Sequence, residues 1–173
     1  MRKTIFVLAA LAILFSGGAL KAANDDPKIV LTGAEVKILL ADASRLSGLT
    51  YDTSRPLPPI VMMPKATFDK VICGDKAKTC TVRAAYIDAY NMILVGTEDL
   101  NTLEFKAVII HELVHYLAQM PSNVYATVEG CVMEEGRAYS AQRAYLKEHK
   151  GDDSRIMSPA EVHLICIARF GGY

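Results

Sequence analysis

The sequence predicts an α+β fold in which a small, few-stranded sheet packs on helices. Two observations carry that prediction. Short β-prone runs fall between residues 60 and 95, and long apolar patterns of helical period precede and follow them. An order of helix, a few strands and then helices is an α+β layout. No internal repeat, low-complexity stretch or linker divides the chain, so one domain is expected after the amino-terminal segment.

That segment is predicted to be a signal peptide. Met1-Arg2-Lys3 gives a positive start, Ile5 to Phe15 an apolar run and Ser16-Gly17-Gly18-Ala19 a small-residue close. The run is shorter than the roughly 20 residues needed to span a bilayer, and no cysteine follows it for a lipid anchor. Cleavage after Ala19 or Ala22 fits, and Ala22 is preferred because Asn24-Asp25-Asp26 follows. The expected division is therefore 1–22 signal peptide and 23–173 a single domain, periplasmic or secreted, without stable membrane insertion. Loss of Arg2, Lys3 and Lys21 takes 19 basic residues to 16 against 19 acidic ones, so the exported chain is mildly acidic. A charged fraction of 22% excludes a disordered chain, and the charge balance gives no reason to expect a nucleic-acid partner.

The elements follow in order. Thr32-Gly33-Ala34-Glu35 has the form of a capping box, and Val36, Leu39, Leu40 and Ala43 recur behind it, predicting a helix over 33–46. Pro56, Pro58 and Pro59 disfavour helix, and Ile60 to Met63 reads as a short buried strand. One or two helical turns cover 66–72. Arg83 to Ile87 and Met92 to Val95, joined by Asp88-Ala89-Tyr90-Asn91, read as a hairpin. Asn101 or Thr102 caps a helix with Leu103 to Gln119 as its body, stopped by Pro121. A long helix runs over 129–150 with Gly151 as its stop, and Ser158-Pro159-Ala160-Glu161 starts the last helix.

In an oxidising compartment the four cysteines can form disulfides. Cys73 and Cys80 bracket a polar stretch that can turn the chain back, which leaves Cys131 and Cys166 to join two helices. A four-cysteine zinc site is disfavoured, because no pair has the short spacing of such sites.

The chemistry lies in His111-Glu112-Leu113-Val114-His115. Residues four apart stand one turn above each other, so both imidazoles can reach one metal ion. Glu112 is offset by about 100 degrees and lies beside the metal. There it suits a general base acting on water that zinc has acidified. With four histidines and nine glutamates in 173 residues, chance supplies only about 0.005 such matches. A catalytic zinc site needs a third ligand, and the next helix offers one. Glu135, Ala138, Tyr139 and Gln142 fall on one stripe, with Glu134 one position off it, so Glu135 ranks above Glu134. Both could instead be solvated carboxylates. Tyr139, Tyr116 and His163 are the candidates for stabilising an oxyanion, with Tyr139 and His163 preferred as catalytic residues.

The pair of motifs, His111-Glu-Leu-Val-His115 and Glu135-x-x-Ala-Tyr-x-x-Gln142, resembles the zincin metallopeptidases of the gluzincin type, whose third ligand is a glutamate on the following helix. From Tyr51 to Leu146 the chain is similar to a family of small exported bacterial metallopeptidase-like proteins of uncharacterised function. The resemblance implies a zincin-like fold with Zn2+ as cofactor. It also implies an edge strand that aligns an extended peptide or protein substrate, and Met92 to Val95 is the segment expected there. Where larger gluzincins often have an aspartate four positions after the glutamate ligand, this chain has Tyr139, so the hydrogen bond that orients a ligand histidine must come from elsewhere. The expectation is an exported zinc metallopeptidase. The alternatives are a non-catalytic exported protein that keeps zinc as a structural staple or binds a partner, and a hydrolase of peptidoglycan or another amide. Retention of Glu112 weighs against a purely structural site.

Overall fold

The computed structural model describes residues 27–96, 101–119 and 126–170; the expected signal peptide lies outside them. The chain is mixed α+β. Its elements in order are β1 (Lys28–Ile29), α1 (Gly33–Ser47), β2 (Ile60–Met62), α2 (Lys65–Cys73), β3 (Ala84–Ile87), β4 (Met92–Val95), α3 (Leu103–Ala118), α4 (Val128–Glu148) and α5 (Pro159–Phe170).

The capping box forms as expected. The Thr32 N–H donates to Glu35 at 2.8 Å, the Glu35 N–H donates back to the Thr32 hydroxyl at 3.3 Å, and Val36, Leu39, Leu40 and Ala43 are buried. Gly48, at φ 72°, closes the helix in the left-handed region that glycine adopts without strain.

The four strands form one sheet in the order β1-β2-β4-β3. β1 and β3 pair antiparallel with their neighbours, whereas β2 and β4 run parallel. Side chains alternate between the faces. Ile60, Ile93 and Val95 enter the main core with α1, α3 and α4, while Leu94 joins Met63 and Phe68 under α2. This topology corrects one expectation. Met92 to Val95 is not an edge strand, because β4 is enclosed between β2 and β3. Its unbroken apolar run fits a strand covered on both faces, and the edge that packs on α3 is β3. β1, only two residues long, had no signal strong enough to predict it.

Helix α3 starts at Thr102, whose hydroxyl accepts from the Phe105 N–H at 3.1 Å. Phe105, Ala107, Ile109, Ile110, Leu113, Val114, Tyr116 and Leu117 bury it on nearly every side. Near its end, Arg55 donates to the Tyr116 carbonyl at 2.8 Å and lies over the Tyr116 ring, so the Pro-rich loop is pinned to the helix. Helix α4 packs along α3 through Ala138, Ala141, Tyr145 and Leu146. It ends at Glu148, earlier than expected, and the left-handed residue is Lys150, at φ 58°. Gly151 is needed for space and not for its φ: a Cβ there would lie 2.7 Å from Leu103 and 2.8 Å from Leu146 side-chain carbons.

Both expected disulfides form. Cys73–Cys80 closes the 3-10 turn after α2, and Cys131–Cys166 joins α4 to α5 in a small cluster with Val162. No helix among the described residues is long and apolar enough to cross a membrane.

Candidate metal centre

Three side chains converge between α3 and α4. His111 and His115 stand one turn apart on α3, and Glu135 reaches across from the first half of α4. Their ligand atoms lie within 4.8 Å of one another. The two Nε2 atoms are 3.1 Å apart, and Glu135 Oε2 is 3.4 Å from His111 Nε2 and 3.8 Å from His115 Nε2. Ligands bound tetrahedrally at about 2.0 to 2.2 Å from a common ion sit roughly 3.3 to 3.6 Å apart, so the triangle has the dimensions of a metal site. The group could hold a metal ion, and two imidazoles with one carboxylate are donors that several divalent metals accept.

The site is a buried polar island in an apolar helix pair, which is costly unless its groups have partners. His111, Glu112 and Glu134 are each 7% exposed. Glu134 supplies one partner: its Oε1 lies 2.9 Å from His115 Nδ1. A carboxylate can only accept, so that contact places a proton on Nδ1 and turns the Nε2 lone pair of a neutral His115 toward the triangle. This is the orienting bond that the sequence left unassigned. Without a metal, burial disfavours charge on His115, but the Glu134 hydrogen bond and the charges of Glu112, Glu135 and Glu134 prevail and raise its pKa to about 9. In its protonated form His115 could donate from Nε2 across the 3.1 Å gap to His111 Nε2.

His111 is held differently. Its ring packs edge-on against Tyr139, with centroids 4.3 Å apart, while its buried Nδ1 has no hydrogen-bond partner among the described residues. The Tyr139 hydroxyl is pushed up to about 12, first by burial and then by the charges of Glu135 and Glu112. It therefore stays protonated near neutrality and can donate.

Glu112 stands beside the triangle and outside it. Its Oε2 accepts a 2.7 Å hydrogen bond from the Tyr86 backbone N–H on β3, so the strand edge and the motif helix meet at this carboxylate.

The structure thus brings together His111, His115, Glu135, Glu112 and Tyr139. It does not bring in His163, which is exposed on α5. Tyr116 is fully buried on the other side, with its hydroxyl 3.3 Å from the Pro56 carbonyl and its ring against Tyr86 and Tyr51. Sequence reasoning missed the Glu134 bond to His115 and the Tyr86 bond to Glu112. The first had a signal, because Glu134, Ala138, Ala141 and Tyr145 form a buried stripe that is better defined than the one through Glu135. The second had none, because a backbone donor carries no residue type. No family model, curated protein or solved structure matches the chain, so the functional reading stands on these residues.

Proposed function

We propose that the protein is an exported zinc-dependent metallopeptidase of zincin type, in which His111, His115 and Glu135 hold the metal and Glu112 moves the proton. The observation that carries this reading is a metal-sized triangle of donors with an additional buried carboxylate beside it that is not part of the triangle. A structural site has no use for that fourth group, whereas hydrolysis does. The two disulfides are compatible with a periplasmic or secreted location.

Bound zinc would supply Lewis acidity, polarising the peptide carbonyl and making water a better nucleophile. The chain's own residues do the rest. Glu112 accepts the proton that the attacking water loses and passes it to the leaving nitrogen, without a covalent intermediate. Tyr139, protonated and against His111, is the candidate donor to the developing oxyanion. The outer edge of β3, at the backbone groups that Glu112 does not occupy, is the surface along which an extended peptide would pair.

The test is metal analysis with digestion of a diverse peptide pool by wild type, His111→Ala and Glu112→Gln. The expected result is about one zinc per wild-type chain and loss of metal in His111→Ala. Glu112→Gln should keep its metal while hydrolysis falls by about two to four orders of magnitude. Undiminished activity in Glu112→Gln would end the general-base assignment. A zinc-loaded wild type that cleaves nothing would favour the structural-staple or partner-binding reading.

A further inference from the structure

We propose that the backbone N–H of Tyr86 is a positioning donor for Glu112, so that the free edge of the sheet fixes which carboxylate oxygen is available to take a proton. The role rests on reading Glu112 as the general base; the contact itself does not.

The register of the sheet makes this donor unusual. β3 pairs with β4 through Ala84↔Val95, Ala85↔Leu94, Tyr86↔Ile93 and Ile87↔Met92, and the Gly96 N–H donates to the Arg83 carbonyl at 3.2 Å. In an antiparallel ladder the residues that turn their N–H and C=O toward the partner alternate with those that turn them away. Arg83, Ala85 and Ile87 therefore face β4, while Ala84 and Tyr86 face the open side. Backbone groups on an open edge are ordinarily left to water or to another strand. The Tyr86 N–H instead meets Glu112 Oε2 at 2.7 Å, on a side chain that is almost entirely buried. Among the described residues no other hydrogen bond or ion pair engages that carboxylate.

A long, flexible side chain beside a reacting centre must be held if its oxygen is to stay within proton-transfer distance. A charge-assisted bond to a backbone donor does this at one oxygen and leaves the other free. Oε2 is the tethered atom, and Oε1 is the one that takes the proton. Tyr86 acts through its main chain while its ring packs on Tyr116, so the role is isolated by comparing two variants that both lack the ring.

The first test needs no activity. In amide exchange measured by NMR on the metal-free protein, the Tyr86 amide should exchange at least about tenfold more slowly than the Ala84 amide, which faces the same open side. Glu112→Ala should remove that difference, whereas Glu112→Gln, which keeps an acceptor oxygen, should retain most of it. The second test compares Tyr86→Pro with Tyr86→Ala. Both lose the ring and only the first loses the N–H; proline there breaks no bond within the sheet, but its ring carbon takes the place of the hydrogen that meets Glu112. At equal metal content, Tyr86→Pro should have a kcat at least about tenfold below that of Tyr86→Ala, with KM unchanged. A Tyr86 amide as fast as Ala84, or one unmoved by Glu112→Ala, would overturn the tether. Equal kcat in the two variants would overturn its positioning role. If wild type cleaves no peptide, the metallopeptidase reading fails while the exchange result still decides the tether, as it does if Tyr86→Pro does not fold.

Discussion

The helices α3 to α5 and the sheet with α2 each carry one disulfide and one small apolar cluster, yet they serve the site differently. The helical region supplies every candidate metal ligand and the carboxylate that orients one of them, all as side chains across one helix pair. The sheet region supplies a single backbone donor to Glu112. One region is specified by residue type, whereas the other contributes through strand register, which any apolar sequence of the same pairing would reproduce.

The largest expected effects come from breaking the two disulfides separately. Cys131–Cys166 spans 35 residues and Cys73–Cys80 spans 7. Loop-closure entropy assigns about 4 kcal/mol to the first and about 2 kcal/mol to the second. Urea denaturation of Cys131→Ala/Cys166→Ala and Cys73→Ala/Cys80→Ala should reproduce that order. The first pair should also loosen metal retention, since Cys131 lies one helical turn before Glu134 and Glu135. Equal losses from the two would mean that the helical region depends no more on its staple than the sheet does.

Next in size is the Glu134 bond to His115. Removing a partner of this kind typically costs about ten- to a hundredfold in metal affinity. The raised pKa of His115 adds a dependence on pH. Zinc must displace the proton, so wild-type affinity should fall about tenfold for each pH unit below about 9. Glu134→Ala removes orientation and also much of the support for that proton. Its deficit, measured by chelator competition, should therefore be largest near pH 9 and narrow toward pH 7. The metal-free protein should show the opposite trend in stability. The folded pKa of His115 lies above its ordinary 6.5, so its stabilisation is full below about 6.5 and is lost as pH rises through about 9. A metal-free protein whose urea midpoint rises over that interval would show that the Glu134 contact does not hold the proton.

The same contrast explains what could be read in advance. The boundaries of α1, α2, α3 and α5 follow from Thr32, Thr102, Gly48 and apolar periods that are satisfied locally, and His111, Glu112, His115 and Glu135 follow from spacing on helices whose faces are fixed by the same period. Cys73–Cys80 followed from a turn, and Cys131–Cys166 from the pair that remained. The parallel pairing of β2 with β4 did not follow, because strand order is set by the packing of both sheet faces against helices distant in sequence. The edge position expected for Met92 to Val95 comes from the family resemblance alone, and the strand order overturns it. Glu134 was undervalued because a one-residue shift of a helical stripe changes which carboxylate is buried, and Ala138 and Gln142 fit both alternatives.

The smallest effect sharpens the comparison within the helices themselves. Thr102 caps α3, which carries both histidines, and Thr32 caps α1, which carries none of the candidate ligands. Each cap satisfies an N–H that the first helical turn leaves free, so Thr102→Ala and Thr32→Ala should each cost about 1 kcal/mol in denaturant unfolding. Metal affinity is the discriminating measurement. The Thr102 hydroxyl bonds Phe105, more than one turn before His111, and the intervening Ala107, Ile109 and Ile110 are fully buried. Fraying of the first turn should therefore stop before the ligands, and both variants should bind zinc as tightly as wild type. A Thr102→Ala variant with weakened zinc binding would mean that the buried middle of α3 does not hold His111 on its own, and that the triangle depends on the whole length of the helix.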